Sequence, residues 1–175
     1  YQSIDSGKFY NKINSRLSTN SNIDLEAVAV SEDEIYLSIL TVTKEPLFYS
    51  PDGHTLRIFL DTDDSFETGY FIPGMGADYL VEIYGKKSPY NTNVTILSSV
   101  LYSFDDSRDQ GDWNSFFPMA NVETATLSKY TECRVSLFDI SSKQSSAKKI
   151  AWQTSDGQGT VDSSEIILGI NTDSV

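Results

Sequence analysis

The chain contains 175 residues, of which 39% are hydrophobic, 22% charged and 12% aromatic, and its formal net charge is −12. This length and composition predict a single globular domain with its own hydrophobic core, and they exclude an intrinsically disordered chain. Because an acidic surface repels phosphate groups, nucleic acid and anionic lipid are not expected as partners. No apolar run approaches the ~20 residues of a membrane-spanning helix, so we expect no direct membrane insertion in this segment.

The N-terminal part of the chain is polar and rich in Ser and Asn, which favour turns and helix caps over regular structure. We interpret residues 1–22 as a lead-in or exchangeable segment along a sheet edge, and residues 23–175 as a single β-sandwich domain. Since the chain begins at Tyr1 rather than Met, we interpret it as a mature or excised piece of a longer precursor.

After this segment, short runs with apolar residues at alternate positions recur along the chain, separated by turn signals. They predict about nine strands: 23–30, 35–43, 56–61, 78–84, 94–104, 122–127, 132–138, 150–154 and 165–170. Between strands we expect an exposed apolar segment at 116–119 and one helical turn within 141–149. Many short strands and little helix indicate an all-β fold, a two-sheet antiparallel β-sandwich.

Two of these strands, 56–61 and 78–84, flank an acidic, glycine-rich connection. If they pair antiparallel, Asp61 at the end of the first lies near Asp78 at the start of the second. The same corner then holds three further acidic side chains, those of Asp63, Asp64 and Glu67. Carboxylates this close repel one another unless a cation, backbone N–H groups or a basic side chain offsets the charge.

Two interpretations of this acidic corner stay open. Calcium binds six to eight oxygen atoms and accepts carboxylates mixed with backbone carbonyls, so a Ca²⁺ ion of structural role fits the composition. Alternatively, the Asp side chains accept hydrogen bonds from loop N–H groups or from Arg57, and no ion is bound.

Aromatic residues supply the candidate ligand-binding surface. Trp113 lies in a polar segment beside hydrogen-bonding side chains, and Tyr70 and Phe71 follow the acidic connection. We expect these three rings to stack on the apolar C–H faces of a sugar. Trp152 alternates with Ile150, so we expect its ring in the core.

The sequence offers little for catalysis. His54 is the single histidine and follows a turn, so we expect it at the surface. No serine lies in a nucleophile elbow, and Gly74-Met-Gly76 lacks the third glycine of a dinucleotide-binding loop. Cys133 is the single cysteine, which excludes an intrachain disulfide, and its alternation with apolar neighbours predicts a buried thiol. We therefore expect no enzyme.

Three motifs carry a family resemblance: Phe59-Leu-Asp-Thr-Asp-Asp64, Thr68-Gly69 and Gly76-Ala-Asp-Tyr-Leu80. With them the chain resembles the family 9-type carbohydrate-binding modules and the related DOMON-like domains of secreted proteins. The resemblance implies a jelly-roll-like sandwich, a calcium site and a role as an accessory or cell-surface domain. It places Asp61, Asp63 and Asp78 in a cation-linked corner. The family's sugar-binding tryptophan clamp has no matching motif in this chain.

Together these observations predict a non-catalytic, extracellular recognition module that binds carbohydrate and is stabilised by calcium. The glycosylation sequon at Asn93 also favours an extracellular or cell-surface location. The alternative is a structural subunit of a cell-surface layer or filament, in which neighbouring copies of the chain are joined by β-strand addition.

Overall fold

The computed structural model describes residues 11–12, 18–140, 149–165 and 167–168. Residues 141–148 of the predicted helical turn and most of the lead-in segment lie outside the described residues, and Lys149 begins a strand. Among those that are described, the chain forms fourteen strands, a one-turn α-helix and a 3₁₀ helix. The strands are β1 (Asn11–Lys12), β2 (Leu25–Glu32), β3 (Tyr36–Thr43), β4 (His54–Asp61), β5 (Tyr70–Ile72), β6 (Met75–Ala77), β7 (Tyr79–Lys87), β8 (Val94–Phe104), β9 (Phe116–Asn121), β10 (Glu123–Leu127), β11 (Tyr130–Ser136), β12 (Lys149–Ser155), β13 (Val161–Ser163) and β14 (Ile167–Leu168).

The strands form two main antiparallel sheets. Sheet A has the order β1-β2-β3-β11-β10, and sheet B has the order β13-β12-β4-β7-β8-β9, with β14 also paired to β12. The predicted pairing of 56–61 with 78–84 is confirmed, since β4 lies antiparallel to β7 with Leu60 opposite Tyr79. The predicted all-β sandwich is therefore correct. Neither helix in the described part of the chain, α1 (Leu137–Ile140) included, has the length and apolarity needed to cross a membrane.

The main core lies between the inner faces of the two sheets. Its largest buried members from sheet B include Leu56, Ile58 and Trp152, which face Ile39 and Cys133 of sheet A. The burial of Trp152 and Cys133 agrees with the alternation in the sequence. Each fully buried Leu or Ile stabilises the fold by about 1.5–3 kcal/mol, so this cluster is the main source of stability.

A second, smaller core lies on the opposite face of sheet B. Phe59 points away from the main core but is only 5% exposed, because the hairpin of β5 and β6 folds over it. Met75 and Ala77 of that hairpin pack there with Leu80 of β7. The middle of β4 is consequently buried on both faces, and the hairpin that covers it also forms one wall of the candidate site.

The structure corrects three local predictions. Residues 116–119 belong to β9, an edge strand that tolerates Pro118 because a register shift occurs beside its partner in β8. Residues 137–138 begin α1 instead of continuing β11. His54 is buried rather than exposed, since it starts β4 and its Nδ1 contacts the carbonyl oxygen of Leu47.

Candidate functional site

Three of the predicted acidic side chains converge beyond the ends of β4 and β7. Asp61, Asp63 and Asp78 each offer a carboxylate oxygen, and these oxygens lie within 4.8 Å of one another. Asp61 is fully buried, Asp78 is half-buried and Asp63 is exposed. The cluster forms because Asp61 ends β4 while Asp78 directly precedes its neighbour β7.

Loop N–H and hydroxyl groups donate to each of the three carboxylates. Asp61 Oδ1 accepts from the N–H of Asp64 at 2.7 Å, and Asp78 Oδ2 accepts from the N–H and the hydroxyl of Thr62, both at 2.7 Å. Asp63 accepts from the Ser65 N–H and the Thr68 hydroxyl. These bonds are the turn contacts that the alternative interpretation predicts, although the predicted donor Arg57 is not among them.

One carboxylate oxygen of the cluster stays without a partner. Asp61 Oδ2 is buried and makes no hydrogen bond among the described residues. Leaving a buried charged acceptor unsatisfied costs more than the ~1–3 kcal/mol typical of a neutral group. The turn contacts therefore account for part of the cluster but leave a buried oxygen for which they supply no donor.

The pKa shifts separate this cluster from ordinary turn-forming aspartates. Hydrogen bonds lower the pKa of Asp33, Asp105 and Asp156, as expected for carboxylates that cap turns. In contrast, burial raises the pKa of Asp61, and it raises the pKa of Asp78 to about 6, with the neighbouring Asp side chains adding to both shifts. Negative charge at this corner is therefore not fully offset by the surrounding protein groups.

The other two predicted ligands lie outside this group of three. The Asp64 carboxylate forms an ion pair with Lys149, with Oδ1 and Nζ 2.6 Å apart. Glu67 is exposed at the rim of the loop. Arg57 pairs instead with Glu82, directly opposite on β7, and among the described residues it is Lys149 that forms an ion pair at the corner.

The loop between the acidic corner and β5 is held in place from the 105–112 segment. Gln110 Nε2 lies 3.1 Å from each of three loop carbonyl oxygens, those of Phe66, Thr68 and Gly69. Asp106 accepts from the N–H of Gly69, whose positive φ of 74° suits glycine. The chain that follows the acidic corner thus enters β5 in a fixed direction.

Beside this loop, the outer face of sheet B carries an open groove of about 900 Å³. All three predicted aromatic ligand residues, Trp113, Tyr70 and Phe71, line it. Trp113 is 39% exposed and Phe71 56% exposed. The indole of Trp113 meets the Tyr70 ring edge-on, with centroids 5.4 Å apart. The groove therefore presents aromatic surface to solvent in a concave setting.

Polar groups complete the groove. The Arg57 guanidinium carbon lies 5.0 Å from the centroid of the Trp113 ring, and Arg57 also donates to Glu82 and to Gln153. Gln153 lines the groove, as do Ser163, Ser164 and Glu165 of the β13 region. Sequence reasoning missed these residues. The alternation of β4 and β12 places Arg57 and Gln153 outward, but nothing in the sequence indicated that these two strands are neighbours.

The acidic corner fits a hard cation, since its donors are all carboxylate oxygens and one is buried without a partner. The sequence matches no protein-family model and no curated protein.

Proposed function

We propose that this protein is a non-catalytic carbohydrate-binding module. The observation that supports it best is the groove of about 900 Å³, in which Trp113, Tyr70 and Phe71 meet Arg57 and Gln153. Binding sites for small ligands are concave and mainly apolar, with a few polar groups that fix orientation. A sugar ring needs this combination, because it has C–H faces that stack on aromatic rings and hydroxyls that exchange hydrogen bonds.

Hydrogen bonds and a ring contact hold the polar residues of the groove in fixed positions. Arg57 bridges Glu82 and Gln153 and lies over the Trp113 ring, so the guanidinium and the indole fix each other. Preorganised side chains lose less conformational entropy when a ligand binds. Since the guanidinium contacts one face of the indole, the sugar stacks on the surface of Trp113 that stays exposed and on Phe71.

A glycan array followed by calorimetry tests the carbohydrate proposal. Stacking of a base on an aromatic side chain is worth about 1–3 kcal/mol, and we expect sugar stacking to be similar. Trp113→Ala should therefore weaken binding about tenfold or more, since about 1.4 kcal/mol equals one decade of affinity. Tyr90→Ala is the matched control, because Tyr90 is 94% exposed and does not line the groove. An array on which the native protein binds no glycan removes the proposal.

We further propose that Asp61, Asp63 and Asp78 bind calcium, which would supply positive charge at a corner where burial and mutual repulsion disfavour three carboxylates. A ligand that binds only the folded state stabilises it by about 2.7 kcal/mol at one hundred times its dissociation constant. Thermal unfolding should shift upward with added calcium and downward with chelator, and Asp61→Asn should blunt both responses. Asp33→Asn is the control, since the Asp33 carboxylate caps a turn and does not belong to the acidic corner. Melting indifferent to calcium and chelator removes this part of the proposal.

The exposed sequon supports an extracellular location. Asn93 lies in an exposed turn that precedes β8, as expected for a glycosylation acceptor. Mass spectrometry of the protein isolated from its native source tests whether Asn93 carries a glycan.

A second candidate function, assembly by strand addition, is favoured by one observation. Asn11 and Lys12 pair as β1 with β2 at the edge of sheet A, opposite Val28 and Ala27. N-terminal backbone thus already adds to this edge, and the same segment of a neighbouring copy would find the same hydrogen-bonding groups. Deleting residues 1–17 should then abolish polymers and leave a folded monomer. Protein that stays monomeric at every concentration removes this candidate.

A further inference from the structure

Lys149 is enclosed beside the acidic corner. It begins β12 directly opposite Asp61 of β4, and its Nζ lies 2.6 Å from Asp64 Oδ1 and 4.3 Å from the centroid of the Phe66 ring. The side chain is only 12% exposed. Lysine usually keeps its ammonium group in water. The ammonium group of Lys149 is instead held in place by the Asp64 carboxylate and the Phe66 ring.

Asp64 is tied to the same corner through its backbone. Its N–H donates to Asp61 Oδ1, and its φ of 60° is in the left-handed region that residues other than glycine seldom adopt. Its carboxylate, however, is engaged by Lys149 and does not belong to the group formed by Asp61, Asp63 and Asp78. The loop therefore brings a fourth carboxylate to the corner, and Lys149 neutralises it.

We propose that Lys149 is an internal competitor of calcium that sets the affinity of the acidic corner. The inference rests on the proposed calcium site and adds a residue to its regulation. Lys149 weakens calcium binding in two ways: it holds the Asp64 carboxylate away from the ion, and it adds a positive charge that repels the ion. Calcium affinity depends on how many charged ligands a site offers and on how rigid the site is, so removing one carboxylate from the corner lowers the affinity.

A double-mutant cycle tests the competition on the full chain. Calcium is titrated by calorimetry into the native protein, Lys149→Met, Asp64→Asn and the double variant. Met keeps an unbranched apolar side chain of similar length while removing the charge that lies over the Phe66 ring. We expect Lys149→Met to bind calcium about tenfold or more tightly. Asp64→Asn alone should weaken binding, because it leaves the Lys149 charge without its carboxylate partner, whereas in the Lys149→Met background it should remove the part of the gain that the freed Asp64 carboxylate supplies.

Lys87→Met is the matched control. Lys87 also lies over an aromatic ring, that of Tyr49, but it ends β7 at the far end from Asp78, so the same loss of charge should leave calcium affinity unchanged. Lys149→Gln serves as the second variant should Lys149→Met fail to fold. If Lys149→Met and Lys87→Met increase calcium affinity by the same factor, the effect comes from net charge alone and the inference is wrong.

The remaining outcomes distinguish the two proposals. If Lys149→Met binds calcium and the native protein does not, Lys149 blocks the site completely, which supports the inference. Equal or weaker binding in Lys149→Met and Lys149→Gln overturns the role of Lys149 and leaves the calcium site standing. If neither the native protein nor the folded Lys149 variants bind calcium, the calcium site and the inference are both wrong.

Discussion

At the scale of single residues, aspartate has two distinct roles in this protein. Asp33 and Asp105 are exposed or nearly so, accept hydrogen bonds from the following turn, and have a lowered pKa. Asp61 and Asp78 accept similar bonds, but burial outweighs those bonds and raises the pKa of both. The residue type and the local hydrogen bonds are alike, so the difference arises from burial by the neighbouring strands and loop.

This contrast predicts how stability depends on pH when calcium is removed. Asp78 has a pKa of about 6 in the folded state and an ordinary value of 3.8, so between these values the folded state binds more protons than the unfolded state. The free energy of unfolding contributed by Asp78 is therefore largest below pH 3.8 and falls as pH rises through 6. Urea unfolding in chelator across this range measures the fall.

Asp78→Asn isolates that contribution. Asn keeps a carbonyl oxygen that can accept both bonds from Thr62, but it carries no charge. In chelator at pH 7 we expect this variant to be at least as stable as the native protein, while its stability changes less between pH 4 and 6. A variant with the native pH dependence would show that Asp78 has no raised pKa.

At the scale of elements, the loop from the acidic corner and the β5–β6 hairpin act together. The loop is fixed by Gln110, and the hairpin that follows carries Tyr70 and Phe71 into the groove. Position 76 requires glycine, because a Cβ there would collide with the carbonyl oxygens of Ser65 and Thr68. The aromatic wall of the groove is thus positioned by contacts that lie in the loop.

Gln110→Ala should loosen this arrangement. It removes one donor shared by three loop carbonyls, so we expect a loss of about 1–2 kcal/mol in unfolding free energy and weaker sugar binding. Gln158→Ala is the control, because the Gln158 side chain makes one exposed hydrogen bond, to Asp52, and none to the loop. Chemical denaturation and calorimetry measure the two effects. Native sugar affinity in Gln110→Ala would show that the loop does not position the groove.

The elements that the sequence predicted well are those with local signals. Alternation located β8, and it paired β4 with β7 because no other predicted strand lies between them in the sequence. Pro118 concealed β9, and the short hairpin of β5 and β6 was missed because three residues per strand give too little alternation to detect. The acidic corner follows from the local pairing, but part of the groove comes from β12, which pairs with β4, and from residues 163–165 in and just after β13, and both are placed by contacts distant in sequence.

At the scale of the whole molecule, the acidic corner and the groove share β4. Asp61, Phe59 and Arg57 alternate along one face of this strand, so the proposed calcium site and the polar end of the groove are a few residues apart. The loop after Asp61 leads directly into Tyr70 and Phe71. Lys149 and Gln153 extend the same arrangement onto β12, the adjacent strand. The two proposed sites are therefore parts of one surface.

This shared surface predicts that calcium and sugar bind cooperatively. At the proposed site a calcium ion would neutralise the corner and restrict the loop, so the aromatic wall would be ordered before the sugar arrives and less entropy would be lost on binding. We expect saturating calcium to tighten sugar binding about fivefold relative to chelator, at the low end of typical coupling between sites. By linkage, saturating sugar must tighten calcium binding by the same factor. Asp61→Asn should bind sugar with the same affinity in saturating calcium and in chelator. If both ligands bind and neither changes the affinity of the other, the corner and the groove are independent sites.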